Sequence, residues 1–395
     1  MVDPVTSLYV HVPFCARKCE YCAFYSESGD GALIQRYTDA LIREMELVAE
    51  GLQPATIFFG GGTPSILNLH QWTQVLETMH RLKLAPAAEW TIEVNPATIS
   101  LDKARLLREH GVNRISMGVQ SFDTNLLERL GRIHSREMVF KSFDILRSAG
   151  FDNVNIDLMF AIPGQTMEIW GATLAEAMAL GSEHLSSYEV IYEEDTALYE
   201  QLRAGEFTVD EQLACDMYEE LISVSSKAGF VQYEIANFAR HSQSQSTAES
   251  SLAVAGWKQV PDRACRHNVN YWRGGQYYGL GPSANGYVGG VRTKNWSNTQ
   301  LYCSRLETGQ RAVETTEELK PLSRAAEIAA FGLRMNVGWP YEQFQKVTGW
   351  DLRQEWRTEI DKLVELGWGA AGVDRFQLTP RGLRFADSAA EMFLR

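Results

Sequence analysis

Three cysteines, Cys15, Cys19 and Cys22, fall within eight residues of the run His11-Val12-Pro13-Phe14-Cys15-Ala16-Arg17-Lys18-Cys19-Glu20-Tyr21-Cys22. The other three, Cys215, Cys265 and Cys303, are scattered. Clustering of this kind points to metal or redox chemistry rather than to a disulfide framework. Thiolates spaced four and three apart on one loop can wrap a single inorganic core. A fully ligated [4Fe–4S] cluster normally takes four cysteines. Three leave one iron with an open position, as a cluster requires if it is to bind a substrate or cofactor directly. A structural zinc site with His11 as fourth ligand is the rival reading, although such sites usually pair two short clips and no second clip is present. Unligated buried thiols are the third.

Two further runs carry chemistry. Gly60-Gly61-Gly62-Thr63-Pro64 lacks Cβ atoms at three positions, so backbone can approach a ligand closely and exposed N–H groups can receive a carboxylate. Glu93, in Thr91-Ile92-Glu93-Val94-Asn95-Pro96, can accept hydrogen bonds from a ligand's amino or hydroxyl groups; its plain alternative is a solvated charge at a strand end.

These residues need elements to position them. Strand-like runs are expected at Leu8–His11, Thr56–Phe59, Thr91–Val94, Arg114–Gly118, Val154–Phe160 and His184–Tyr188, with amphipathic helical stretches between them, such as Leu33–Ala49 and Arg136–Ala149. About six β-then-α repeats mean parallel strands joined by crossover helices. Periodicity leaves a barrel and an open sheet equally open. The loops favour a barrel, because the cysteines, Gly60–Thr63, Glu93, Gln120 and Asp157 all lie at or just after strand C-terminal ends, where barrel active sites assemble.

The expected organisation is a barrel domain over 1–240, a polar insertion over 241–263, a connecting segment over 264–320 and a C-terminal domain over 321–395. That last domain reads as three helical patterns and a short strand pair, a winged-helix-like α+β module. It carries ten basic and ten acidic residues, no footprint for phosphates. The whole chain is acidic, with 37 basic against 50 acidic residues and a net charge of −13, which disfavours nucleic-acid partners. No apolar run is long enough to span a membrane, and the first strand starts too early for a signal peptide, so a cytoplasmic location is expected.

The four-then-three cysteine spacing at the end of the first strand resembles the signature of radical S-adenosylmethionine (SAM) enzymes. The resemblance implies a partial (β/α)6 TIM-like barrel and a [4Fe–4S] cluster on Cys15, Cys19 and Cys22. It also implies SAM bound at the open iron and cleaved to a 5′-deoxyadenosyl radical. Gly118-Val119-Gln120-Ser121-Phe122, Leu130-Gly131-Arg132, Asn155-Ile156-Asp157 and Ile162-Pro163-Gly164-Gln165-Thr166 are similar to segments of the HemN-like, coproporphyrinogen III dehydrogenase branch. By that likeness, Tyr9, Tyr21, Gly61, Gly62, Thr63, Glu93, Gln120, Arg132 and Asp157 are the expected SAM contacts.

Within the branch, two absences resemble the HemW group of haem chaperones. No cysteine follows two residues past the triplet (Cys22-Ala23-Phe24), and only seven residues precede Leu8. Arg266-His267-Asn268-Val269-Asn270-Tyr271-Trp272 matches the His-Asn-x-x-Tyr-Trp motif associated with haem in that group. A neutral imidazole is a common haem ligand, and Tyr271 and Trp272 offer flat apolar surface. The bland reading makes His267 structural and the aromatics core; Cys265 is another soft ligand nearby. Gly279-Leu280-Gly281-Pro282-Ser283-Ala284 resembles the group's Gly-Leu-Gly-x-x-Ala segment, with Asn285 where many members have histidine. The implied function is haem delivery to apo-haemoprotein acceptors, with an electron donor for the cluster and a homodimer left open. A catalytic radical SAM enzyme acting on a tetrapyrrole is the alternative.

Overall fold

The computed structural model describes residues 4–242 and 260–394. Most of the expected 241–263 insertion therefore lies outside the described residues. Two compact units are present. The first runs to Ala228 and adds Tyr277–Val288 and Arg292–Thr316; the second holds Gly229–Gln276, Gly289–Val291 and the chain from Glu317. The segment 264–320 is thus shared between them.

In the first unit six strands alternate with helices. They are β1 (Val5–Val12), β2 (Leu52–Gly61), β3 (Glu89–Val94), β4 (Arg114–Gln120), β5 (Val154–Phe160) and β6 (His184–Glu189). The intervening helices are α1 (Gly31–Val48), α2 (Leu69–Arg81), α3 (Leu101–Glu109), α4 (Thr124–Arg129), α5 (Arg136–Ser148) and α6 (Met167–Leu180). Neighbouring strands pair in parallel and in sequence order. Tyr278–Leu280 adds a further parallel strand beside β1, so β1 and β6 do not pair and the barrel stays partial.

Side chains on a strand alternate between faces, and here the two faces differ in chemistry. Leu8, Val10 and Val12 of β1 are buried, as are Ile57 and Phe59 of β2 and Ile115 and Met117 of β4. Those residues belong to the helix-covered face, where Phe59 packs on Trp72 of α2 and Phe160 on Trp170 of α6. The other face is polar and internally bonded. Ser7 meets Thr56, and Asn155 bonds Ser116, Asp157, His184 and Ser186. Burying such groups without partners would cost several kcal/mol in total, about 1–3 for each. Their mutual hydrogen bonds make a polar barrel interior tolerable.

Helices α2 to α6 start at side-chain caps (Asn68, Ser100, Asp123, Ser135 and Thr166), each accepting a backbone N–H of the first turn. A cap stabilises a helix start by about 1 kcal/mol and fixes where the chain turns after a strand. The Gly279–Ala284 segment has a different task. Gly281 has φ +93°, and an added Cβ would run into the carbonyl oxygen of His11. Its N–H donates to buried Glu44 of α1 at 2.8 Å; Asn295 Nδ2 and Tyr302 Oη donate to the same carboxylate at 2.9 and 2.6 Å. This staple pins the returning strand to α1. Asn285 is exposed.

The second unit contains the antiparallel sheet Trp339–Pro340, Arg375–Leu378, Gly369–Ala371, with helices Pro321–Gly332, Tyr341–Thr348 and Arg357–Glu365. Trp339, Phe344, Trp356, Phe376 and Phe393 form its aromatic core. Three helices and then the strands Gly369–Ala371 and Arg375–Leu378 come in the expected order; the strand Trp339–Pro340, between the first two helices, was not expected.

Candidate functional site

A cavity of about 510 Å³ opens at the C-terminal ends of the strands and is lined from every one of them but β1, whose place is taken by the cysteine loop that follows it. Backbone bonds clamp that loop: Cys15 N–H donates to Glu27 O, Glu27 N–H to Pro13 O, Glu20 N–H to Leu130 O and Leu198 N–H to Glu20 O. Cys15, Cys19 and Cys22 all line the cavity. Thr63 Oγ1 lies 3.5 Å from Cys15 Sγ, and Arg132 Nη1 lies 3.7 Å from Cys19 Sγ. Burial pushes the Cys22 thiol up, and the neighbouring Cys19 and Cys15 add to it. Three thiolates so crowded call for a positive core.

Among the described residues, no three His, Cys, Asp or Glu side chains converge on a point suited to one metal ion. A cubane does not ask for that, since each thiolate binds a different iron. The zinc alternative fails at His11 as well. Its Nε2 sits 2.8 Å from the carbonyl oxygen of Tyr25 and must donate there, while Nδ1, 3.0 Å from Tyr9 Oη, accepts the phenol proton. No lone pair remains for a metal.

The glycine run corrects one expectation. Gly62 N–H donates to Val12 O and Thr63 N–H to Phe14 O, while Gly61 N–H serves Glu93. These amides are committed to strand pairing and to Glu93, so they do not form the carboxylate nest expected from sequence. The glycines are needed for closeness. Gly61 has φ +103°, and a Cβ at Gly62 would sit 2.7 Å from Phe14 O.

Glu93 and Asp157 face the cavity from β3 and β5. Burial, then the charge of Asp157, raises the Glu93 carboxyl to about 8. Burial also raises Asp157, against hydrogen bonds from Asn155 and Ser116. Gln120 lines the cavity with φ +67°, a left-handed conformation rare for a side-chain-bearing residue, at the bulge between β4 and β5. Such strain recurs at ligand sites. Arg132 Nη2 donates to Gly118 O at 2.5 Å, and its Nε is buried without a partner. Tyr21 lines the cavity and packs beside Leu126, Leu130 and Met159. Tyr9 stands apart from these: it is not among the lining residues, but it bonds His11 and lies near enough to Glu93 that burial, then that carboxylate, raises its phenol.

Sequence reasoning missed Thr98, Tyr188, Glu189, Ile191 and Glu193, which also line the wall. Their signal was position alone, at or just past the ends of β3 and β6. The arrangement, with two carboxylates, crowded thiols and aromatic rims, suits a cationic organic ligand beside an inorganic core.

Comparisons with known proteins agree with this geometry. Residues 9–177 match the radical SAM superfamily, and residues 319–385 match the HemN C-terminal domain. The heme chaperone HemW of Bacillus subtilis (strain 168) is 33% identical over 98% of this chain and 99% of its own length. The chain belongs to the HemW family of radical SAM proteins. HemW of Escherichia coli (strain K12) is 31% identical over 99% of this chain and 98% of its own. The coproporphyrinogen III oxidase HemN from Escherichia coli shares the fold, with a TM-score of 0.80 at 23% identity over 99% of this chain and 90% of that one. Membership implies a [4Fe–4S] cluster and SAM, which together supply one-electron chemistry when bound. The residues present fit that pair. Three sulfurs share one cavity, and Arg132, which lines it with them, has a buried Nε that no protein group accepts from.

The HemW-type heptapeptide forms the helix Arg266–Trp272 in the second unit. The structure differs from the picture of an open imidazole beside two flat rings. His267 is only 1% exposed, with Nε2 2.6 Å from Tyr271 Oη. One face of Trp272 lies under Arg334, 4.8 Å away, and the ring packs on a small core with Tyr233, Val269 and Met335. Tyr271 is partly exposed. Cys265 is fully buried, and its N–H bonds Tyr233 Oη.

Proposed function

We propose that the chain is a haem chaperone: it holds a [4Fe–4S] cluster on Cys15, Cys19 and Cys22, binds SAM against Gly61–Thr63, Glu93, Gln120, Arg132 and Asp157, and delivers haem held at the 266–272 helix to apo-haemoproteins. One observation carries the reading. A cavity that joins three cysteine sulfurs to two carboxylates and an arginine lies in a chain aligned from end to end with HemW proteins. Glu93 and Asp157 would meet the positive charges of SAM, and Arg132 its carboxylate or the cluster's sulfur. Tyr9 supports the site through His11, whose imidazole it fixes in one tautomer. Domain boundaries follow the two compact units, with the barrel as cofactor carrier and the 266–272 helix as cargo site. No described helix is long and apolar enough to cross a membrane.

The test is anaerobic reconstitution followed by loading with ferric haem and addition of an apo-haemoprotein such as apomyoglobin. Haem is expected to move to the acceptor. Coproporphyrinogen III, SAM and a reductant should yield no protoporphyrinogen; its formation would replace this reading with catalysis on a tetrapyrrole.

A further inference from the structure

The iron ligand within the 266–272 helix follows from which of its donors can meet a ligand. His267 and Tyr271 sit four residues apart, on one face of the helix. Their rings meet edge to face, with centroids 4.8 Å apart, and Nε2 and Oη are 2.6 Å apart. That is short for a neutral hydrogen bond. The imidazole is interior, at 1% exposure, whereas the tyrosine is partly exposed. For His267 to bind iron, its ring would have to leave the core and give up the contact with Tyr271. Tyr271 is the member of the pair that already reaches the surface in part.

We infer that Tyr271 Oη, and not His267 Nε2, binds the iron of ferric haem, with His267 as the buried positioning residue that takes the phenol proton. This rests on the haem reading of the motif proposed above. The step balances. The Tyr271 O–H bond breaks, its proton passes to His267 Nε2, and an Fe(III)–O bond forms as water or hydroxide leaves the incoming haem. No electron moves. A phenolate is a hard anionic donor suited to ferric iron, and tyrosine is an established haem ligand. A histidine whose nitrogen already rests on the phenol oxygen both accepts the proton and keeps the oxygen aimed. Chemically this suits cargo that must be handed on, since a single oxygen ligand leaves the other iron face open to an acceptor's imidazole.

The experiment is titration of the full-length protein with ferric haem, followed by absorbance, resonance Raman and electron paramagnetic resonance. The native protein should give a high-spin ferric spectrum with a phenolate-to-iron charge-transfer band and phenolate Raman modes. Tyr271→Phe, which removes one oxygen and keeps the ring, should lose these features and weaken haem binding tenfold or more. His267→Gln, which keeps a polar partner for the oxygen, should retain the phenolate signature with weaker binding. Far-ultraviolet circular dichroism and the thermal midpoint check that each variant folds. A low-spin imidazole spectrum in the native protein that survives in Tyr271→Phe and disappears in His267→Gln would overturn the assignment while leaving the haem motif intact. Unchanged affinity and spectrum in the double variant would overturn the motif itself.

Discussion

At the scale of single residues, the cysteines and Glu93 make the sharpest demands. Replacing Cys15, Cys19 and Cys22 by alanine should abolish iron–sulfur absorbance after anaerobic reconstitution, because each sulfur lines the same cavity and none has a substitute nearby. Glu93 gives a pH prediction. Its carboxyl lies at about 8 in the folded chain against an ordinary 4.5. A carboxyl raised on folding contributes stability that is complete below the lower value and is lost as pH rises through the upper one. The protein free of ligand should therefore lose thermal stability between pH 4.5 and about 8, and Glu93→Gln should flatten that slope. A cationic ligand prefers the ionised form, so SAM affinity should rise with pH, by up to about tenfold per unit, and level off above 8. Equilibrium SAM binding across that range checks it; a flat profile would remove Glu93 from the site. The cysteine spacing was legible in the sequence because all three ligands share one loop. The commitment of the Gly61, Gly62 and Thr63 amides was not, since it depends on strand register with β1 and on the neighbouring β3.

Among elements, the staple at Glu44 decides whether the returning strand stays in the sheet. Three donors converge on that buried carboxylate, from Gly281, Asn295 and Tyr302. Glu44→Ala should cost about 3 kcal/mol or more, because it strands several buried donors at once, and Tyr302→Phe about 1–2 kcal/mol. Urea unfolding with a probe for the first unit would measure both, and a change within error for Glu44→Ala would show that water replaces the carboxylate. The six strand-and-helix repeats were readable from periodicity, capping residues and spacing. The strand Tyr278–Leu280 was not, because three residues carry no period and its pairing partner, β1, lies some 270 positions earlier in the chain. Five of the six β strands also proved longer than the expected runs, while β5 has the expected bounds, Val154–Phe160. Polar residues such as Ser7, Thr56 and Asn155 interrupt the hydrophobic pattern while staying buried against one another.

For the whole molecule, the proposed cofactor residues and the proposed haem helix fall in different compact units. The cysteines belong to the first and His267, Tyr271 and Trp272 to the second. The Cys15, Cys19, Cys22→Ala variant should accordingly bind ferric haem with native stoichiometry, measured by titration at constant protein concentration. Loss of haem binding in that variant would show that cargo and cluster share a site. By itself the sequence pointed to metal chemistry on the cysteine loop and determined the parallel α/β architecture and the family likeness. Each rests on signals local in the chain: cysteine spacing, strand-helix rhythm, and short motifs at strand ends. Tertiary structure alone decided which donors stay available. It took His11 away from metal binding by engaging both ring nitrogens, and it closed the glycine amides through strand register. It also buried His267 while leaving Tyr271 partly exposed. Availability depends on burial and on hydrogen-bond partners brought from distant parts of the chain, and a linear pattern of residue types carries neither.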